Sequence, residues 1–295
     1  MSKPARMLFP WLSREQALSA QLGRQPLAGE DVAAEVRRWE DAREALNARP
    51  EYQPGDEVIE EIPANLRERA RQFRENPDTR NVLQTLDWTI GMVNLGGVLS
   101  FQYSVTLDRI SGRLGNVQAE QWEELFSICM PNVPALEELQ FSSQIEERAF
   151  TISTTNPNLR ILGPVHGIAS IAPDPSTPPR NVPQVGFAID LGTPFVQVVE
   201  FQRRWFIRNG YHRCYGLLQR GINKIPCVFV RARDFSDIGA NRPGFVGEEV
   251  LMGPRPPKLT DFLDRTFSID VRQPSIVKVV RVVAQEFMVS SDDLG

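Results

Sequence analysis

Residues 192–232 read GTPFVQVVEFQRRWFIRNGYHRCYGLLQRGINKIPCVFVRA. Phe195 to Phe201 and Trp205 to Arg208 have the apolar patterning of two strands, with a short polar turn between them. The loop Asn209-Gly210-Tyr211-His212-Arg213 then enters a helix from about residue 213 to 220, and Gly221 stops it as a C-terminal glycine does. Ile225 to Val230 is the next strand. A helix start offers unpaired backbone N–H groups and the positive end of the helix dipole, which together favour an anion. Gly210 permits a positive φ and close approach of a ligand to the backbone. Arg213 can grip a phosphate with two parallel hydrogen bonds, and His212 adds a donor. The competing reading is a capped helix whose Arg213 pairs with a neighbouring carboxylate, Asp190 or Glu200.

A strand hairpin, then Gly210-x-x-Arg213 at a helix start, then Gly221-Ile222-x-x-Ile225-Pro226 before a strand, resembles the N-terminal domain of ParB and its sulfiredoxin relatives. The resemblance spans residues 185–232. It implies an α+β fold with a ParB/sulfiredoxin-like module in the C-terminal half. It also implies that Gly210, His212 and Arg213 hold the phosphates of ATP or CTP, with Mg²⁺ assisting. Whether NTP hydrolysis, phosphoryl transfer or nuclease activity accompanies binding is left open; Asp190 and Glu200, which match no motif of the family, are the candidates for a base or metal ligand. Tyr211 stands where sulfiredoxins carry their catalytic cysteine, so sulfinic acid reduction is not expected. Cys214 lies three residues from the catalytic cysteine's place, on the helix, and is expected to be a small buried packing residue. Nothing after Arg233 reads as a helix-turn-helix, which disfavours a chromosome-partition clamp.

Arg203, Arg204 and Arg208, flanking Trp205 in the hairpin, are candidates for nucleic-acid contact by charge and stacking. The alternative for them is a solvated turn with one packed tryptophan.

The rest of the chain sets limits. Of 295 residues, 33 are basic and 37 acidic, a net charge of −4, which argues against a broad non-specific nucleic-acid surface while allowing a local basic patch. Three cysteines and two histidines lack metal-like spacing, so no zinc site is expected. No apolar leader or span-length apolar run is present, and a cytoplasmic location without membrane association is expected. Oligomeric state is left open.

Residues 1–165 read as a mainly helical N-terminal region, a surface for a protein partner. Ser13-x-x-Gln16 has the spacing of a capping box. A helix is expected over 31–48, one capped by Asn65, another capped by Asp78 and reaching Ile90, and one capped by Asn116 that Pro131 ends. Val98 to Leu107 alternates as a strand, with further strands at 149–153 and 159–162. Residues 166–184, rich in proline, are expected to be a connector before a domain at 185–295. Within that domain Thr260 is expected to cap a short helix and Ile276 to Val289 to form one strand or two. The function implied is nucleotide binding; the alternative is a non-catalytic scaffold that keeps the fold.

Overall fold

The computed structural model describes residues 2–22, 29–55, 59–84, 86–108, 114–131, 139–144, 149–154, 159–171, 178–190, 195–240, 244–274, 277–286 and 288. It is a mixed helix-and-strand protein with several small sheets. The chain runs β1 (Ser2–Leu8), α1 (Arg14–Leu22), α2 (Gly29–Ala48), β2 (Ile59–Glu60), α3 (Arg67–Glu75), α4 (Pro77–Leu83), β3 (Asp87–Asn94), β4 (Ser104–Thr106) and α5 (Trp122–Cys129). There follow β5 (Gln140–Gln144), β6 (Ala149–Thr154), β7 (Arg160–Ile171), β8 (Arg180–Asp190), β9 (Gln197–Phe201) and β10 (Arg204–Asn209). Last come α6 (Tyr211–Gln219), β11 (Lys224–Arg231), α7 (Glu248–Leu251), β12 (Ser268–Pro274) and β13 (Lys278–Val283).

Two units divide the chain: Met1–Asn132 with Thr193–Ser275, and Val133–Gly192 with Ile276–Gly295. This is a different division from the one expected at 166–184, and strand pairing explains it. In the first unit a five-stranded sheet has the order β10-β9-β11-β3-β2. Its central strand β11 runs parallel to β9 and antiparallel to β3, so residues 87–94 and 224–231 share one sheet. Six consecutive residues of β11, Ile225 to Val230, are buried, as a strand covered on both faces requires. A second sheet, β12-β1-β4, pairs Ser2 with Pro274 and Leu8 with Ser268.

Several local expectations hold. Ser13 Oγ accepts from Gln16 N at 3.2 Å while Gln16 Oε1 accepts from Ser13 N at 3.1 Å, a closed capping box ahead of α1. Trp39, Ala42 and Leu46 lie on the inner face of α2, Ala42 and Leu46 fully buried. Gly221 (φ +74°) ends α6: its N–H donates to Leu218 O and that of Ile222 to Leu217 O, the two bonds of a Schellman turn.

Others are corrected. Residues 2–8 form a strand, not part of a helical region, because β12 and β4 flank β1 on both edges. The helix expected to reach Ile90 stops at Leu83, since β3 begins at Asp87 and fills the slot between β11 and β2. That helix is capped by Asn76, whose Oδ1 accepts from Thr79 N at 3.4 Å, with Pro77 in its first turn. Gly91 sits inside β3, where a Cβ would stand 2.4 Å from Ile59 Cγ2, so glycine lets β2 cross closely. Asn65 lies within a 3-10 turn, Ala64–Leu66, rather than capping α3, and Gln121, not Asn116, precedes α5. Lys258, not Thr260, precedes a 3-10 turn at Leu259–Phe262.

In the second unit β13-β6-β5 form one sheet and β7-β8 a separate two-stranded hairpin. The stretch expected as a connector is therefore largely paired backbone: Ile168 faces Pro183 and Ile171 faces Arg180. Proline is tolerated because each strand of an isolated pair has a free edge. Residues 172–177 lie outside the described residues.

Candidate functional site

Residues 195–232 fold as their patterning predicts: antiparallel β9 and β10, then α6, then β11 returning parallel to β9. The hairpin turns at Gln202 and Arg203, both with positive φ (50° and 60°), and Glu200 Oε1 accepts from Arg203 N at 2.7 Å. Gly210 opens α6 at φ +93°, where an added Cβ would lie 2.8 Å from Val196 Cγ2 and 3.1 Å from Val196 Cα. The glycine is needed for its dihedral and for close packing of two backbones.

Protein groups occupy much of the mouth of this helix. Arg213 Nη1 donates to Ile128 O at 2.8 Å and to Cys129 O at 3.3 Å, carbonyls of the last turn of α5. Cys129 O also accepts from Val196 N at 2.7 Å. The C-terminal end of α5 is thereby capped by a cation and an amide, a favourable arrangement for its dipole. Tyr211 is buried and its Oη accepts from Phe101 N at 3.2 Å. Burial pushes the Tyr211 hydroxyl well above its ordinary value, which removes it from acid–base work near neutrality. Asn209 Oδ1 accepts from Gly210 N at 2.8 Å. His212 is half-buried.

The three hairpin arginines diverge. Arg203 is exposed at the turn. Arg204 is buried, and its Nη1 donates to Leu251 O at 2.9 Å and Gly253 O at 3.0 Å, fixing the end of α7. Arg208 is half-buried against Gly239. Trp205 packs on Phe229, ring centroids 5.1 Å apart, and is 5% exposed, so it offers no surface for stacking. A shared nucleic-acid face from all three arginines is therefore not assembled.

The two candidate carboxylates belong to different units: Asp190 ends β8, and Glu200 lies in β9 and holds its own hairpin turn. Among the described residues no group of three His, Cys, Asp or Glu side chains converges as a metal site. Glu200, committed to a backbone amide, does not by itself fit the oxygen cage that Mg²⁺ takes. Cys129, Cys214 and Cys227 are fully buried free thiols; burial pushes Cys129 up to about 12 and raises the other two as well. None is poised as a nucleophile.

A second place was not legible in the sequence. Tyr52 lies under the guanidinium of Arg204 at 4.9 Å and near Lys258 Nζ at 5.9 Å, beside a cavity of about 410 Å³. Tyr52 comes from a proline-bounded connector and Lys258 from a loop, so no motif joins them; only the fold does. No helix among the described residues is long and apolar enough to cross a membrane. Comparison of the chain with protein-family models, with curated proteins and with solved structures gave no match.

Proposed function

We propose that this chain is a non-catalytic interaction protein in which the β9–β10–α6–β11 unit serves as a scaffold. One observation carries the reading: the guanidinium of Arg213, the group a phosphate would need, is spent on the carbonyls of Ile128 and Cys129. A phosphate entering there would have to displace those bonds and meet the negative end of α5. The N-terminal helices α1 and α2, whose outer faces carry both signs of charge, are the surface we assign to a protein partner.

The test is Arg213→Ala with two readouts. On this reading the variant melts at lower temperature, and neither variant nor parent gives heat when titrated with ATP, CTP or GTP in the presence of Mg²⁺. Saturable heat from the parent that the variant loses would overturn it.

A second reading is favoured by one specific feature. Gly210 in the left-handed region at the start of a nine-residue helix, between parallel β9 and β11, is the arrangement the ParB/sulfiredoxin resemblance implies for an ATP or CTP phosphate. It requires Arg213 to exchange carbonyl partners for phosphate oxygens. His212→Ala then weakens nucleotide binding while leaving the melting temperature in place.

A further inference from the structure

We infer that the cavity bounded by Tyr52, Trp205 and Lys258 is a binding site for a small organic anion, a carboxylate or a phosphate monoester. Its volume of about 410 Å³ is within the range of small-ligand sites. It is independent of the helix mouth at Gly210.

Charge is the first support. Four cations stand in or beside the cavity: Arg49, Arg204, Arg255 and Lys258. Two have carboxylate partners, Arg49 with Asp261 at 2.9 Å and Arg255 with Glu51 at 4.0 Å. Among the described residues Arg204 has none, and Lys258 makes no direct ion pair but shares the field of Asp261 with Arg49, two cations for one carboxylate. Arg204 donates to the Leu251 and Gly253 carbonyls, which supply dipoles but no negative charge, and it is only 8% exposed. Burial of an uncompensated cation disfavours its charged form, and Arg204 is shifted downward for that reason. An anion placed between Lys258 and the flank of Tyr52 would compensate both.

An unused donor is the second support. Trp205 lines the cavity, and its indole Nε1 is buried with no hydrogen-bond partner among the described residues. Buried N–H groups almost always find an acceptor, so this one can take a ligand oxygen or a water. A carboxylate or phosphate oxygen supplies it, provided the wall opens slightly for the contact. The walls themselves are tied together: Leu99 N donates to Trp205 O at 2.7 Å, Leu259 N to Val98 O at 2.9 Å, and Tyr52 N to Pro254 O at 2.6 Å. The three chain segments that bring Tyr52, Trp205 and Lys258 are thus held in register before any ligand arrives.

The experiment is an amide and indole NMR titration of the full chain with inorganic phosphate in one arm and benzoate in the other. The Trp205 indole signal is assigned by its loss in Trp205→Phe. In at least one arm, that signal is expected to move saturably, and Lys258→Gln should weaken the binding about tenfold or more at unchanged melting temperature. Movement with phosphate alone would assign a phosphate monoester, and movement with benzoate alone a carboxylate. A stationary Trp205 indole in both arms, or affinity unaffected by Lys258→Gln, overturns the inference. Because Gly210 and Arg213 take no part, failure here leaves the scaffold reading of α6 where it stands.

Discussion

Single residues on the inside of the β9–β11 crossover set its stability. Gly210 combines a positive φ with a backbone neighbour, so Gly210→Ala meets both strain and Val196. A loss of about 1–3 kcal/mol is expected in urea unfolding. Arg213→Ala removes the side-chain donor from the Ile128 carbonyl, while Cys129 O keeps its bond from Val196 N, and about 1–3 kcal/mol is expected again. Asp270 shows a pH-dependent case. It accepts from Arg6 Nε at 2.7 Å and from Arg6 Nη2 at 3.0 Å, and the Arg6 hydrogen bonds hold its carboxyl below the usual range, with Arg265 adding to the effect. A carboxyl whose folded value is depressed contributes stability above the unfolded value and loses it as pH falls through the folded one. Asp270→Asn should therefore melt below the parent at neutral pH, and the gap should close below about pH 4. Thermal melts of both proteins across that range check the sign. Arg6 also donates to Tyr215 Oη at 2.7 Å, so this one side chain ties β1 to α6. Nothing in the sequence around Arg6 marks it, because both partners lie more than two hundred residues away.

At the level of elements, local chemistry was legible and tertiary choice was not. The closed capping box at Ser13, the glycine stop at Gly221 and the hairpin before Gly210 depend on neighbours within a few residues, so their spacing sufficed. The residue patterning of 195–232 gave the order of strands and helix correctly. It missed that Arg213 faces α5, because that contact is set by residues 128 and 129. Residues 87–90 are expected to end the helix carrying Val82 and Leu86, yet with 91–94 they form a strand because β11 and β2 need a partner between them. Pairing outweighs propensity there. Proline counting likewise suggested a connector at 166–184, where residues 166–171 and 180–184 are paired strand and Pro183 lies on a strand with a free edge. The β9–β10 turn offers a clean test of element energetics. Gln202 holds φ +50° in a two-residue turn, a conformation asparagine adopts more readily. Gln202→Asn is expected to raise stability by about 0.5 kcal/mol, read as a small rise in melting temperature.

Across the whole molecule the first unit is assembled from two separated stretches, 1–132 and 193–275. A fragment of residues 185–295 carries β9, β10, α6 and β11 complete but lacks β3 and β1, the neighbours of β11 and β12. We expect circular dichroism of that fragment to show no cooperative melt; a sharp transition would mean the crossover is self-sufficient. The pairing of Ser2 with Pro274 has a consequence for synthesis. β1 is the middle strand of its sheet, so a nascent chain cannot complete that sheet until the ribosome has polymerised β12. Through most of translation the apolar side of Ala5, Met7 and Phe9 has no permanent neighbour from β12. Such late closure is slow and leaves the edges of β1 open to pairing with other chains until β12 arrives.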